Sequence, residues 1–242
     1  MKTFIENKPF NWCPGCGHGI VVRLCMELIE EMGIRERTCC VVGIGCGGFH
    51  HHYMEIDAIE AMHGRSIPVA TGYKMGIPNN FVYTLQGDGD CSSIGLSELL
   101  HSANRGTPIT VIMINNGVFG MTGGQMSPET LINQKTPTCP VGRNAKMHGY
   151  PLKVPEMMKE FEGVAYLARC SVATPKLIRK AKKSLSFAFK AQLGEVGFSF
   201  VEFLSPCPTG WKIGVIDAYK RLVDEVANVF PVQEFINKLG DY

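Results

Sequence analysis

The sequence predicts an α/β fold: a doubly wound, mostly parallel sheet with helices on both faces. Short β-rich runs alternate with amphipathic helical ones, as parallel strands joined by crossover helices require. Nearly all the strand candidates are continuously apolar, which suits strands covered on both faces. The 242 residues can bury a full α/β core without disulfide or metal staples.

In chain order, the pattern predicts a helix over 20–31, a strand over 39–43, a helix over 64–75 and a strand over 81–86. It continues with a helix over 94–104, strands over 109–114 and 164–171, a helix over 175–190, a strand over 197–204 and a helix over 215–228. In the helix over 94–104, Leu96, Leu99, Leu100 and Ala103 form an apolar stripe at helical spacing. No repeat, low-complexity block or long linker interrupts the order, so residues 1–242 read as a single domain. The irregular stretch 117–155 is too long for an ordinary connection, and loops of that length are usually functional. It follows a strand end, where open α/β sheets bind ligands.

Composition narrows the classes. Lys and Arg total 24 against 22 Asp and Glu, and no run of like charge marks a nucleic-acid track. With 45% hydrophobic and 19% charged residues the chain is slightly poor in charge, as expected if partner subunits cover part of its surface. Charges and Pro9 break up the first residues, so no signal peptide is expected and the protein reads as cytoplasmic. The longest uncharged stretch, 106–128, holds Asn115, Asn116 and Thr122-Gly123-Gly124-Gln125, which excludes a membrane span. Ten cysteines without an export signal predict reduced thiols, some of them holding metal.

Two constellations carry chemistry. Gly87-Asp88-Gly89-Asp90 follows a predicted strand and opens a helix, and Asn115-Asn116 ends the next strand. The 25 residues from 90 to 114 are about what a helix and a returning parallel strand need, so the two polar ends meet side by side. A carboxylate and an amide oxygen converging there, with a carbonyl from the following turn, suit Mg2+ shared with substrate phosphates. Gly87 and Gly89 let the backbone come close, and amides from Asp90 to Ser93 at a helix start can hold a diphosphate. Either half alone is an ordinary turn; the spacing together resembles the thiamine diphosphate signature, which implies Asp88, Asn116 and the Val118 carbonyl as Mg2+ ligands. Asn115 is the less favoured amide.

The second constellation is sulfur: Cys13-Pro14-Gly15-Cys16-Gly17, Cys46 in Gly43-Ile44-Gly45-Cys46-Gly47-Gly48, and Cys207 in Ser205-Pro206-Cys207-Pro208. One close pair with two distant members suits an iron-sulfur cluster gathered from separate loops, although zinc also accepts four thiolates.

With both in view, the chain resembles the β subunits of the 2-oxoacid:ferredoxin oxidoreductases, which bind thiamine diphosphate. The resemblance rests on Trp12-Cys13-Pro14-Gly15-Cys16-Gly17-His18-Gly19, Gly43-Ile44-Gly45-Cys46, His63-Gly64-Arg65 and Gly87-Asp88-Gly89-Asp90, then on residues 115–125 and Pro206-Cys207-Pro208-Thr209. It implies a thiamine diphosphate-binding fold, one 4Fe-4S cluster on Cys13, Cys16, Cys46 and Cys207, and catalytic roles for His63 and Arg65. Cofactor contacts are implied for Ile44, Gly45, Cys46, Gly47, His63, Gly87, Asp88, Gly89, Asp90, Asn116, Val118, Gly120, Met121 and Thr122. The implied reaction is coenzyme A-dependent oxidative decarboxylation of a 2-oxo acid in anaerobic metabolism, with electrons passed to ferredoxin. The implied assembly is a hetero-oligomer in which an α subunit carries the pyrimidine-binding domain and its activating glutamate, with γ and ferredoxin-like δ subunits. Residues 131–155 look more like 2-oxoisovalerate and 2-oxoglutarate members than pyruvate ones. A non-oxidative thiamine decarboxylase or synthase would share the Mg2+ site without the cluster, and a zinc-binding scaffold would share only the thiols.

Other features read as ordinary structure. Glu98 is a solvated helical charge, and His50-His51-His52 cannot chelate well because consecutive side chains diverge, so an exposed turn or substrate-pocket contacts are expected. Cys25, Cys39, Cys40, Cys91, Cys139 and Cys170 are small core residues, Cys91 lying at the expected diphosphate helix. Met62, Met75, Met113, Met121 and Met126 fill core gaps.

Overall fold

The computed structural model describes residues 4–5 and 8–240. Residues 1–3, 6–7, 241 and 242 lie outside the described residues, and most of the expectation about the start of the chain falls on them.

A seven-stranded sheet forms from β1 (Thr38–Val42), β2 (Asp57–Glu60), β3 (Phe81–Gly87), β4 (Thr110–Asn115), β7 (Val164–Ser171), β8 (Phe198–Leu204) and β9 (Gln233–Asn237). Between β4 and β7 lies a small hairpin of β5 (Val118–Phe119) and β6 (Gln125–Met126). The sheet order is β2-β1-β3-β4-β8-β7-β9, parallel except for the antiparallel edge strand β9. The predicted architecture is therefore the observed one.

The pleat explains the two cores. In β1 every residue is buried, and alternate side chains go to opposite faces. Cys40 and Val42 join Val21, Cys25, Leu185 and Phe189 from α1 (His18–Glu31) and α6 (Pro175–Leu193). Cys39 and Val41 join Ile67, Ala70, Leu99 and Ala103 from α2 (Ser66–Gly76) and α3 (Leu96–Arg105). Each fully buried aliphatic side chain of this kind contributes about 1.5–3 kcal/mol. Helix ends follow local chemistry: the Thr174 side chain accepts from Leu177 N at 3.3 Å with Pro175 starting α6, and α3 stops at Gly106 in the left-handed region.

Several expectations need correction. The helix predicted over 94–104 begins earlier, as a π-helical turn at Gly89–Ile94 before α3, and the last one is broken by a π-helical turn at Leu222–Val226. Edge strands β2 and β9 went unread because their partly exposed residues lack an apolar run. His50 is fully buried, its Nε2 3.0 Å from the Tyr83 hydroxyl, so it is core rather than exposed turn. Met62 and Met75 are strongly exposed and fill no core gap, whereas Met113 is buried as expected. Glu98 is half-buried and pairs with Arg65 at 3.1 Å, its other oxygen buried without a partner, so it is not simply solvated. Among the described residues no helix is long and apolar enough to cross a membrane.

Candidate functional site

The topology brings the motifs together. Strands β1, β3, β4 and β8 are consecutive neighbours in the sheet, and their carboxyl ends run into Gly43–Cys46, Asp88, Asn116 and Cys207 respectively. Open parallel sheets bind ligands at that end. Every residue implied for cofactor contact lines one cavity, together with His18 and Phe119. Arg65 does not line it; its guanidinium is taken by Glu98 and the Gly64 and Ile94 carbonyls. Cys91 is buried away from the cavity, and burial pushes its thiol well up.

Asp88 is 1% exposed, and burial raises its carboxyl to about 7 against the opposing hydrogen bond from Ser127 Oγ at 2.6 Å. Behind it sits Glu129, fully buried with neither oxygen hydrogen-bonded, its pKa raised by burial and then by Asp88. Asn116 Oδ1 accepts from Val118 N at 3.1 Å, and Trp211 Nε1 donates to the Asn116 carbonyl at 2.8 Å. Asn115 is committed elsewhere: its Nδ2 donates to Glu202 and its Oδ1 accepts from Gly117 N.

Asp90 is a clamp. Its Oδ1 meets His63 Nδ1 and accepts from Gly64 N at 2.7 Å, while Oδ2 accepts from Gln86 Nε2 at 2.6 Å. His63 is thereby oriented with its Nε2 left over. Two glycines are dictated by contact: a Cβ on Gly43 would lie 2.0 Å from Asp90 Oδ2, and one on Gly89 would lie 2.3 Å from the Phe119 ring. A Cβ on Gly87 would meet nothing, so the backbone there is open.

The four thiols of Cys13, Cys16, Cys46 and Cys207 share one neighbourhood. Cys16 is raised to about 12 and Cys207 to about 11, by burial first and then by the other thiols. A Cβ on Gly120 would be 3.5 Å from Cys207 Sγ, 3.7 Å from Asn116 Nδ2 and 3.9 Å from Cys46 Sγ. The sulfur and oxygen constellations therefore meet around that glycine. Among the described residues, no three His, Cys, Asp or Glu side chains converge as they would around a single ion.

Sequence reasoning missed Ser127, Arg143, Trp211 and Glu202. A signal existed for Glu202 and its partner Arg169, each a charge inside a predicted apolar strand. Arg143 is 4% exposed and donates to the carbonyls of Ser127, Pro128, Thr130, His148, Gly149 and Tyr150, tying the irregular stretch together.

A doubly wound sheet with such a cavity at its carboxyl end has the arrangement of a ligand-binding α/β domain, and residues 40–203 match the family described as thiamine pyrophosphate enzyme, C-terminal TPP binding domain. The ketoisovalerate oxidoreductase subunit VorA of Methanothermobacter marburgensis is 42% identical over 96% of this chain and 48% of its own length. The 2-oxoglutarate synthase subunit KorB of Archaeoglobus fulgidus is 35% identical over 90% of this chain and 77% of its own length. The chain thus spans about half the length of the VorA proteins it matches. The fold matches a 2-oxoglutarate:ferredoxin oxidoreductase structure from Magnetococcus marinus with 2-oxoglutarate, coenzyme A and succinyl-CoA bound (TM-score 0.79, 24% identity, 97% of this chain and 83% of that one). The chain belongs to the thiamine-binding subunits of the 2-oxoacid:ferredoxin oxidoreductase family.

Proposed function

We propose that the chain holds thiamine diphosphate, Mg2+ and one 4Fe-4S cluster side by side, and with an α subunit oxidatively decarboxylates a 2-oxo acid, passing coenzyme A the acyl group and ferredoxin the electrons. The observation that carries this reading is the placement of Cys46, Asp88, Asn116 and Cys207 at the carboxyl ends of four adjacent strands, with Cys46, Asp88 and Asn116 on one cavity and the N-terminal Cys13 and Cys16 close enough to act on the other thiols. The donor chemistry fits both groups. A buried carboxylate beside a second buried acid, without a cation, is unfavourable, and a hard ion at Asp88 relieves it. Crowded, partly buried thiols such as Cys16 and Cys207 gain likewise from iron, which binds them as thiolates.

Asp88, Asn116 and the Val118 carbonyl would hold Mg2+. No lysine or arginine lines the cavity among the described residues, so the ion and the open backbone at Gly87 would meet the diphosphate charge. The coenzyme, when bound, supplies the electron sink for decarboxylation. His63, fixed by Asp90, presents Nε2 as a polar contact at the cavity mouth. The cavity's acids, Asp88 and Asp90, are both committed, so the activating carboxylate is assigned to the α subunit. The relatives named for ketoisovalerate and 2-oxoglutarate support a branched-chain or dicarboxylic 2-oxo acid. Partner γ and ferredoxin-like δ subunits, and a reducing cytoplasm for the ten thiols, complete the proposal.

Anaerobic co-purification with the partner subunit tests it. Native protein should carry about four irons per chain with acid-labile sulfide. Asp88→Ala should lose thiamine diphosphate and keep iron, and Cys207→Ala should do the reverse. Iron-free native protein holding thiamine diphosphate would favour a non-oxidative enzyme instead. Undiminished cofactor in the Asp88 variant would remove the Mg2+ assignment.

A further inference from the structure

His18 opens α1 two residues after Cys16, and its place is fixed from several sides. The residue is 2% exposed, its ring stacks on Trp12 at 6.1 Å between centroids, and Trp12 Nε1 in turn donates to the Cys46 carbonyl at 2.8 Å. His18 Nδ1 lies 3.1 Å from Cys16 Sγ, and the backbone N–H of His18 points to the same sulfur. The same ring forms part of the cofactor cavity wall. One side chain therefore touches a sulfur of the thiol group while facing the space where the coenzyme is proposed to bind.

We infer that His18 is a positioning residue for electron transfer: it donates its Nδ1–H to the sulfur of Cys16 and so raises the reduction potential of the cluster next to the cofactor. This inference rests on the cluster reading given above. The tautomer follows from the partner, because an iron-bound thiolate sulfur can only accept, so Nδ1 carries the proton and Nε2 is the bare nitrogen. Reduction adds negative charge to the cluster and its sulfurs. A donor aimed at one of those sulfurs stabilises the reduced form more than the oxidised one. His18 keeps its proton throughout; one electron enters the cluster from the cofactor side and leaves to the next carrier. Among the four thiols, Cys16 is the one for which a side-chain nitrogen contact of this kind is present among the described residues.

Three substitutions in the complex with its partner subunit separate the donor from the ring. Asparagine can place an N–H near the Nδ1 position, glutamine places it near Nε2, and leucine has none. Iron and sulfide content is measured first, then the midpoint potential from the electron paramagnetic resonance signal of the reduced cluster. His18→Asn is expected to match wild type, while His18→Leu and His18→Gln shift the midpoint to more negative values. Their turnover with ferredoxin should fall while the KM for the 2-oxo acid holds. If His18→Leu fails to keep its cluster, the comparison of Asn with Gln decides. Equal midpoints in all variants, or rescue by Gln and not by Asn, would overturn the inference. Iron-free wild-type protein is a different result and strikes the cluster reading itself.

Discussion

Glu202 and Asn115 join two neighbouring strands through a 2.6 Å hydrogen bond from Asn115 Nδ2 to Glu202 Oε1. The other carboxylate oxygen accepts from Arg169 Nε at 2.6 Å, and Arg169 is held from the far side by Glu156 and packed between Phe230 and Phe235. With its Nδ2 tied back, Asn115 turns Oδ1 toward Gly117 N, closing the turn that presents Asn116 and Val118. A buried ion pair thus shapes, through Asn115 alone, the turn at the carboxyl end of β4.

Glu202→Gln should loosen that turn. Breaking a buried pair costs about 3–5 kcal/mol, and the lower end is expected here because Glu156 still meets Arg169. Urea unfolding checks the stability loss, and calorimetry of thiamine diphosphate with Mg2+ checks the weaker binding. Unchanged cofactor affinity in a destabilised variant would disconnect Glu202 from the loop.

Gly43→Ala should disturb the Asp90 clamp, because the added carbon falls 2.0 Å from Asp90 Oδ2. Overpacking of this kind costs about 1–3 kcal/mol, and cofactor affinity should fall as His63 loses its orientation. Gly72→Ala is the control: it lies on α2 with nothing within 4 Å, so stability should hold or rise.

His50 gives a pH signature. Burial lowers its pKa from 6.5 to about 3, so between those values the unfolded chain takes up a proton that the folded one refuses. Stability from this group is complete above pH 6.5 and is lost as the pH falls towards 3. His50→Gln should flatten the fall in unfolding free energy between neutral and mildly acidic pH. An unaltered slope would mean that other groups carry the acid sensitivity.

Much of this was legible in the chain. The spacing from Asp90 to Asn115 encodes a crossover, and the crossover sets β3 beside β4 with their polar ends together. Cys46 and Cys207 could be placed with them only through resemblance, because no local pattern states that β8 inserts beside β4. The π-helical turn after Asp88 was hidden because its residues also fit an α-helix start. Ser127 escaped notice for a related reason: a serine in a long loop has no periodicity, and its partner lies 39 residues away.

The six carbonyls gathered by Arg143 tie the two ends of the long loop to one guanidinium. Ser127, which steadies Asp88, hangs from the same guanidinium as the outer residues around Met147 and Tyr150, which stand almost free of the protein. Side chains on that outer rim can therefore be exchanged for others, altering what the loop greets, while the anchorage of Asp88 is left intact.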